Sequence, residues 1–500
     1  MASTTPVDYS DIQGLVRFGY GKLTEASFLL LSIRNVTAAR AWLTGAPISN
    51  AVQLEEAPST ALQVAFTREG LHALQLPEEV LAGFSAEFLS GMAGEESRSR
   101  RLGDVGPNSP EKWTWGAPGK VPDLLVLVYA RDQMLEGFMR TIQGPQWDAA
   151  FNVIDVLPTS NLDGVEPFGF TDGLSQPKVD WERRRKIHGD ELEYGNLTAL
   201  GEFLLGYSNE YGKYTDRPLL QINDPFSASL PAAEDLPEMR DLGRNGTYLV
   251  LRQLKQDVRG FWRFADMQAN SDPEMRRKLA ESLVGRTQKG DPLVALSTRR
   301  IGGVDPTEVS QNQFTYEGDS NGLLCPFGAH IRRANPRNAD LPPGITGVLS
   351  RLTHTLGFGE ANFRDDVIAS TRFHRLLRRG REYGPGLSVE DAIKKDAPET
   401  DDHGIHFITL SANISRQFEF VQSSWMMSTK FGGLTEESDP LLGNREPVQG
   451  CPVTDIFSLP QKNGLRERVA GLPQFVTVQG GAYFFLPGIR ALRYLCSFGD

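Results

Sequence analysis

The chain has 500 residues, 40% of them hydrophobic and 23% charged, with a formal net charge of -11. That length exceeds the size at which single cores stop growing, so two domains or one large fused pair are expected. The acidic surplus argues against a nucleic-acid partner, and no apolar run approaches the roughly 18 residues that cross a bilayer, so neither nucleic acid nor membrane is expected.

In chain order, the apolar run 28–33 predicts a strand and the spacing over 36–43 a helix. A second strand over 62–66 leads to Thr67 as a helix N-cap. The run 124–129 predicts a third strand, followed by a helix over 133–142, where Leu135, Phe138, Met139 and Ile142 share a face. The same order then returns. A strand over 248–251 precedes a helix over 258–264, and a strand over 407–410 precedes Phe418, Val421 and Trp425 at helical intervals. Strands over 475–478 and 483–486 follow, separated by Gln479-Gly480-Gly481 as a hairpin-like break. The recurrence predicts two α+β halves of like construction, each with helices packed on an antiparallel sheet. The polar stretches 95–112, 180–193 and 338–366 read as loops or insertions.

Three cysteines, Cys325, Cys451 and Cys496, cannot form a dense disulfide framework, so the fold rests on its core. The opening Met1-Ala2-Ser3-Thr4-Thr5-Pro6 lacks a signal-peptide profile, which leaves a cytoplasmic protein or one whose signal has been removed. Sequons at Asn35, Asn196, Asn245 and Asn413 suit the second case.

Chemistry-bearing residues concentrate in a few segments. In Phe168-Gly169-Phe170-Thr171-Asp172-Gly173-Leu174-Ser175-Gln176-Pro177, two glycines allow a tight turn that fixes the Asp172 carboxylate; alone, such a segment also describes a turn cap. None of the seven histidines has zinc-site spacing, whereas a cofactor-borne metal needs only one. His330 precedes Arg332, Arg333 and Arg337, a pattern that fits a solvated surface or a loop pairing bidentately with a carboxylate or propionate. Glu360, Asp365 and Asp366 are either solvated or the lining of a manganese or other cation site.

Gly169-Phe170-Thr171-Asp172-Gly173 taken with His330-Ile331-Arg332-Arg333-Ala334-Asn335-Pro336-Arg337 resembles the paired signatures of the dye-decolorizing peroxidases. So do 91–94, 102–107, Arg378-Arg379-Gly380 with Tyr383, and 475–487, in family order along most of the chain. The length and insertions resemble the large fungal branch. The opening Asp11-Ile12-Gln13-Gly14 is similar too, although Leu15-Val16-Arg17-Phe18 departs from the usual continuation.

The resemblance implies an α+β fold of two ferredoxin-like domains of the dimeric α+β barrel type, over 1–175 and 176–500, with haem in the second. It implies one haem b per chain, with His330 as axial iron ligand and Asp439 orienting it; an Asp-Pro turn is the other reading of Asp439. Asp172 becomes the distal acid-base and Arg378 the distal arginine, with Arg379 the alternative if the motif slips by one. Arg332 is expected at a propionate, and Ile405 and Phe407 in the distal pocket. Trp425 and Tyr383 are electron-relay candidates, core packing being the alternative for Trp425. The implied activity is oxidation of dyes, phenols and other aromatics by hydrogen peroxide, in one-electron steps through a ferryl intermediate. An aspartate base predicts activity favoured at acidic pH. Extracellular residence is the implied location. A haem carrier without peroxide turnover and a deferrochelatase-like enzyme are the rival readings.

Overall fold

A computed structural model describes residues 6–184, 197–222, 224, 226–294, 311–312, 314–337, 371–394, 402–448 and 451–497. The cation-site candidates Glu360, Asp365 and Asp366, with the whole of the polar stretch 338–366, lie outside these residues.

The sequence alternates apolar strands with amphipathic helices, and the structure gathers the long strands into one antiparallel sheet. Numbered along that sheet, these are β1 (Glu25–Ile33), β2 (Thr60–Phe66), β3 (Leu124–Ala130), β4 (Phe151–Pro158), β5 (Thr247–Gln256), β6 (Leu377–Arg378), β7 (Arg381–Tyr383), β8 (Gly404–Ser411) and β9 (Val476–Leu486). Their order is β6-β8-β5-β9-β2-β3-β1-β4, with β7 also paired to β8. Each half repeats one arrangement: its first strand lies between its last and its third, and its second lies beyond the third. The halves meet at a seam where β9 and β2 share the single register pair Phe485 and Phe66.

That short seam is bolted by the first residues of the chain. Gln13 donates its side-chain amide to the Val64 and Pro487 carbonyls and accepts from the Val64 N–H, copying a strand partner. Asp11 accepts from the Arg490 N–H and the Asn245 amide, each at 2.7 Å. The Asp-Ile-Gln-Gly opening is thus a structural lock between the halves.

Alternation along the strands makes two apolar layers. Leu29, Leu31, Val64, Val126, Val250 and Phe485 belong to the core under the helices, among them Val36–Gly45, Val258–Gln268 and Pro273–Val284. Phe28, Leu30, Leu125, Leu127, Leu249, Ile408 and Phe484 face inward, where the two halves of the sheet pack on each other. Phe28 lies edge-on to His406, and Arg381 covers the Tyr129 ring across that layer. Beyond β4 the Ser160 N–H reaches the Glu382 carbonyl of β7, so the far edges of the sheet also approach.

The expected helix after β8 is present as wide π turns, Ser415–Glu419 and Val421–Met426. The expected break at Gln479-Gly480-Gly481 is not a hairpin. β9 runs through it with a register shift between Val478 and Gly480. These glycines serve close approach instead: a Cβ on Gly480 would lie 2.5 Å from the Trp115 indole, and one on Gly481 would lie 2.7 Å from the Met92 sulfur. Among the described residues, no helix is long and apolar enough to cross a membrane.

His406 sits in the inner layer at 1% exposure, bonded through Nε2 to the Pro158 carbonyl. Burial disfavours the charged ring and pushes its pKa down to about 4. The unfolded chain therefore binds a proton more readily between about pH 6.5 and 4, and stability contributed by the neutral ring is lost as pH falls through that window. The loss reaches roughly 3 kcal/mol. In His406→Phe, unfolding midpoints are expected to fall less between pH 7 and 4.5 than in the wild type, as read by chemical denaturation.

Candidate active site

Glycines build the loop that carries Asp172. Gly169 and Gly173 have φ of +94° and +78°, a region that favours glycine, and they bring the backbone around so that Glu166 N–H bonds to the Phe170 carbonyl and Asp172 N–H to Gly164. The loop is tied to β6 by Gln176, whose side-chain amide donates to the Arg378 carbonyl and accepts from the Arg378 N–H, both at 3.1 Å. Strand alternation then separates Arg378, the last residue of β6, from Arg379, which follows it. Arg378 enters a cavity, and Arg379 turns away to the Leu15 and Val16 carbonyls.

The cavity measures about 260 Å³ and is lined by residues from both halves of the chain. On one wall Arg378 Nη1 donates to Asp172 Oδ1 at 2.9 Å. His330, first residue of the short helix His330–Ala334, also lines the cavity. Its Nδ1 lies 3.1 Å from each oxygen of Asp439, which is fully buried behind it. The Leu441 and Leu442 N–H groups donate to Asp439 Oδ1 at 3.0 and 2.8 Å. That arrangement places the ring proton on Nδ1 and leaves the Nε2 lone pair without a partner among the described residues. An imidazole so held has one ring nitrogen free to coordinate a single metal centre.

The side chains of Asp172 and His330 are 46% and 25% exposed, and both line the cavity. Burial alone would raise the Asp172 pKa, but the adjacent Arg378 charge outweighs it, with the Gly173 N–H helping, and the pKa falls below the usual carboxylate value. Burial likewise opposes the charged form of His330, and the facing Asp439 carboxylate overrides it and raises the pKa. Asp439 itself is lowered: burial is offset by His330, Arg333 and the Leu442 N–H.

Ile405 and Phe407 of β8 line the cavity, while His406 between them points into the inner layer. Trp425 lines the cavity at 5% exposure, edge-on to His374 at 5.2 Å. Tyr383 is elsewhere, buried and stacked on His406 at 4.6 Å. Arg332 does not reach the cavity. Its guanidinium is held by Asp319 at 2.9 Å and by the Cys325 carbonyl.

Two lining residues escaped the sequence reading. Arg286 donates to the Gly290 and Gln311 carbonyls and to Ser175 Oγ, all uncharged. Burial, with Arg337 and Arg378 nearby, pushes its pKa down to about 10. Together with Arg378 it makes one corner of the cavity positive, whereas much of the remaining lining, including Phe168, Phe170, Val284, Leu376, Val421 and Leu441, is apolar. Glu166 is the second carboxylate of the cavity, and its side-chain oxygens accept from the Phe168 and Phe170 N–H groups of the Asp172 loop. Arg286 had no motif to mark it. Glu166 stands only six positions before Asp172, and that proximity was the available signal.

No family model matches the chain. In sequence it is 31% identical over 358 residues to the multifunctional dye peroxidase DyP2 of an Amycolatopsis strain, covering 68% of this chain and 62% of that protein's length. It is 26% identical to the dye-decolorizing peroxidase msp1 of Mycetinis scorodonius, covering 99% of this chain and 89% of that one. In structure it is similar to a fungal DyP-type peroxidase from Auricularia auricula-judae, with a TM-score of 0.70 at 22% identity, covering 99% of this chain and 100% of the other. A dye-decolorizing peroxidase solved in complex with 2,6-dimethoxyphenol gives the same TM-score and identity over 98% of this chain.

The Asp172 carboxylate depends on Arg378, which gives a direct test. In Arg378→Leu, burial remains and the compensating charge is gone, so Asp172 is expected to titrate at higher pH than in the wild type by carbon-13 NMR of the haem-free protein. An unchanged titration would contradict the pairing.

Proposed function

The chain belongs to the dye-decolorizing peroxidase family, and on that premise we propose that it is a haem peroxidase that uses hydrogen peroxide to oxidise dyes, phenols and other aromatic compounds. One observation carries the proposal: Asp172 with Arg378, and His330 with Asp439, line or back one largely apolar cavity.

The residues present fit a haem. His330 offers Nε2, apolar side chains suit the macrocycle, and Arg286, whose hydrogen-bond partners are uncharged, suits a propionate. Arg286 takes the place expected for Arg332, whose charge is already matched by Asp319. When bound, haem supplies the iron at which peroxide is cleaved and the oxidising equivalents that are passed on.

The chain's own groups then have separable tasks. Asp439, accepting the Nδ1 proton of His330, strengthens the lone pair on Nε2. Asp172, kept ionised by Arg378, takes a proton from peroxide and returns it to the departing oxygen as a general acid-base. The Arg378 guanidinium faces the negative charge that develops as the O–O bond breaks. Ile405 and Phe407 narrow the site and exclude water. A pKa held below the usual carboxylate range keeps Asp172 a base under acidic conditions, so activity is favoured there. Trp425, at the cavity wall, is the better placed electron relay, since Tyr383 lies behind β8.

We assign the two sheet halves to two ferredoxin-like units, divided near 175–176, with His330, Asp439 and Arg378 in the second and Asp172 from the junction. The repeated strand order supports this division.

Rapid mixing of the haem-loaded chain with hydrogen peroxide tests the activity. The wild type is expected to convert quickly to an oxidised haem spectrum that phenols discharge, and Asp172→Asn to react about 10² to 10⁴ times more slowly. His330→Ala is expected to lose the wild-type haem spectrum. Slow bleaching by peroxide in the wild type would favour a haem carrier instead.

A further inference from the structure

Glu166 and Asp172 are two carboxylates on one loop of one cavity, and their surroundings differ. Asp172 faces a guanidinium; Glu166 faces none within hydrogen-bond reach. The Phe168 N–H donates to Glu166 Oε2 and the Phe170 N–H to Oε1, each at 3.0 Å, and the Gln256 amide at the end of β5 donates to Oε2 at 2.9 Å. The backbone it grips runs directly into Gly169, Asp172 and Gly173. The other face of this backbone is held by Trp262, which donates its indole N–H to the Phe168 carbonyl and stacks on Phe170. All partners of Glu166 are therefore neutral.

We propose that Glu166 is a positioning residue of this site, holding the Asp172 loop by its backbone and setting the alkaline limit of the reaction through its own ionisation. The inference rests on the peroxidase reading and assigns that site a second carboxylate with a different duty.

Two carboxylates driven apart in proton affinity divide acid and base duties. Burial, with the Asp172 charge beside it, raises the Glu166 pKa to about 7, and the three N–H donors offset this only in part. Asp172 is the charged group acting on it from the loop, and Gln256 on β5 is neutral. His330, Arg286 and Arg378 line the same cavity from other elements. Below neutrality Glu166 is uncharged and Asp172 carries the only carboxylate charge on the loop's cavity face. Above it, a second negative charge enters. That charge opposes the one Arg378 is placed to offset as peroxide is cleaved, and it strains the loop by repelling Asp172. The rate then falls.

The test compares the haem-loaded full chain with its Glu166→Gln variant, following oxidation of the haem by hydrogen peroxide from pH 4.5 to 9. The wild-type rate is expected to fall about tenfold or more on the alkaline side with a midpoint near pH 7. The variant, which stays neutral, is expected to lack that limb. A limb unmoved in the variant, or a loss of equal size at every pH, overturns the proposal and leaves Glu166 a structural brace.

A second measurement needs no haem and no variant activity. Infrared titration of the haem-free wild type is expected to show a protonated carboxyl band that disappears near pH 7 and is missing in Glu166→Gln. Absence of that band in the wild type at pH 5.5 overturns the proposal. A wild type that does not react with peroxide at any pH refutes the peroxidase reading, and the infrared band separates that failure from a failure of Glu166.

Discussion

An ionised carboxylate inside an apolar cavity is unfavourable unless a positive charge and hydrogen-bond donors meet it. The site depends on solving that problem twice. Asp172 is met by Arg378, 206 residues away in sequence, and Asp439 by His330, 109 residues away. The first pair spans the two halves, because the Asp172 loop follows the first group of strands and Arg378 comes from the second; His330 and Asp439 both come from the second. The strand seam, the Gln13 lock and the Gln176 clamp on β6 all serve to hold those distances.

The two pairs differ in what they leave open. Asp439 spends both oxygens on His330 and accepts two backbone N–H groups, so it acts only through the imidazole. Asp172 Oδ1 is engaged by Arg378, and the side chain keeps accessible surface toward the cavity. In the proposed reading one carboxylate orients the iron ligand and the other remains available to a substrate. The π turns after β8 contribute by bringing Phe418, Val421 and Trp425 onto the same cavity, beside Phe407.

Much of this was legible in the sequence because it follows from local pattern. Apolar runs and helical spacing located β1, β2, β3, β5 and β8 and the helices Val36–Gly45, Leu135–Ile142 and Val258–Gln268. Thr67 does cap its helix by accepting from the Gly70 N–H. In contrast, Glu96–Leu102 is a helix inside a stretch that reads as a loop, and Pro273–Val284 is a helix the reading passed over. The loop of Asp172 announced itself through two glycines. What stayed hidden depends on which surfaces meet. Gly480 and Gly481 look like a turn until Trp115 and Met92 are packed against them. Arg332 and Arg286 are indistinguishable as sequence, and only the placement of Asp319 and of the cavity tells which one faces inward. Glu166 was overlooked because a glutamate before a proline reads as a loop residue, and its grip on the Phe168 and Phe170 N–H groups is visible only once the turn is closed.

The central proposal is that His330 and Asp172, which line one cavity, would serve one haem held there. A crystal structure of the chain reconstituted with haemin tests it most directly. The account predicts iron bonded to His330 Nε2, Asp439 still on Nδ1, Asp172 and Arg378 across the macrocycle, and a propionate at Arg286. Iron held by any other side chain, or a haem with Asp172 and His330 on the same side, would contradict it.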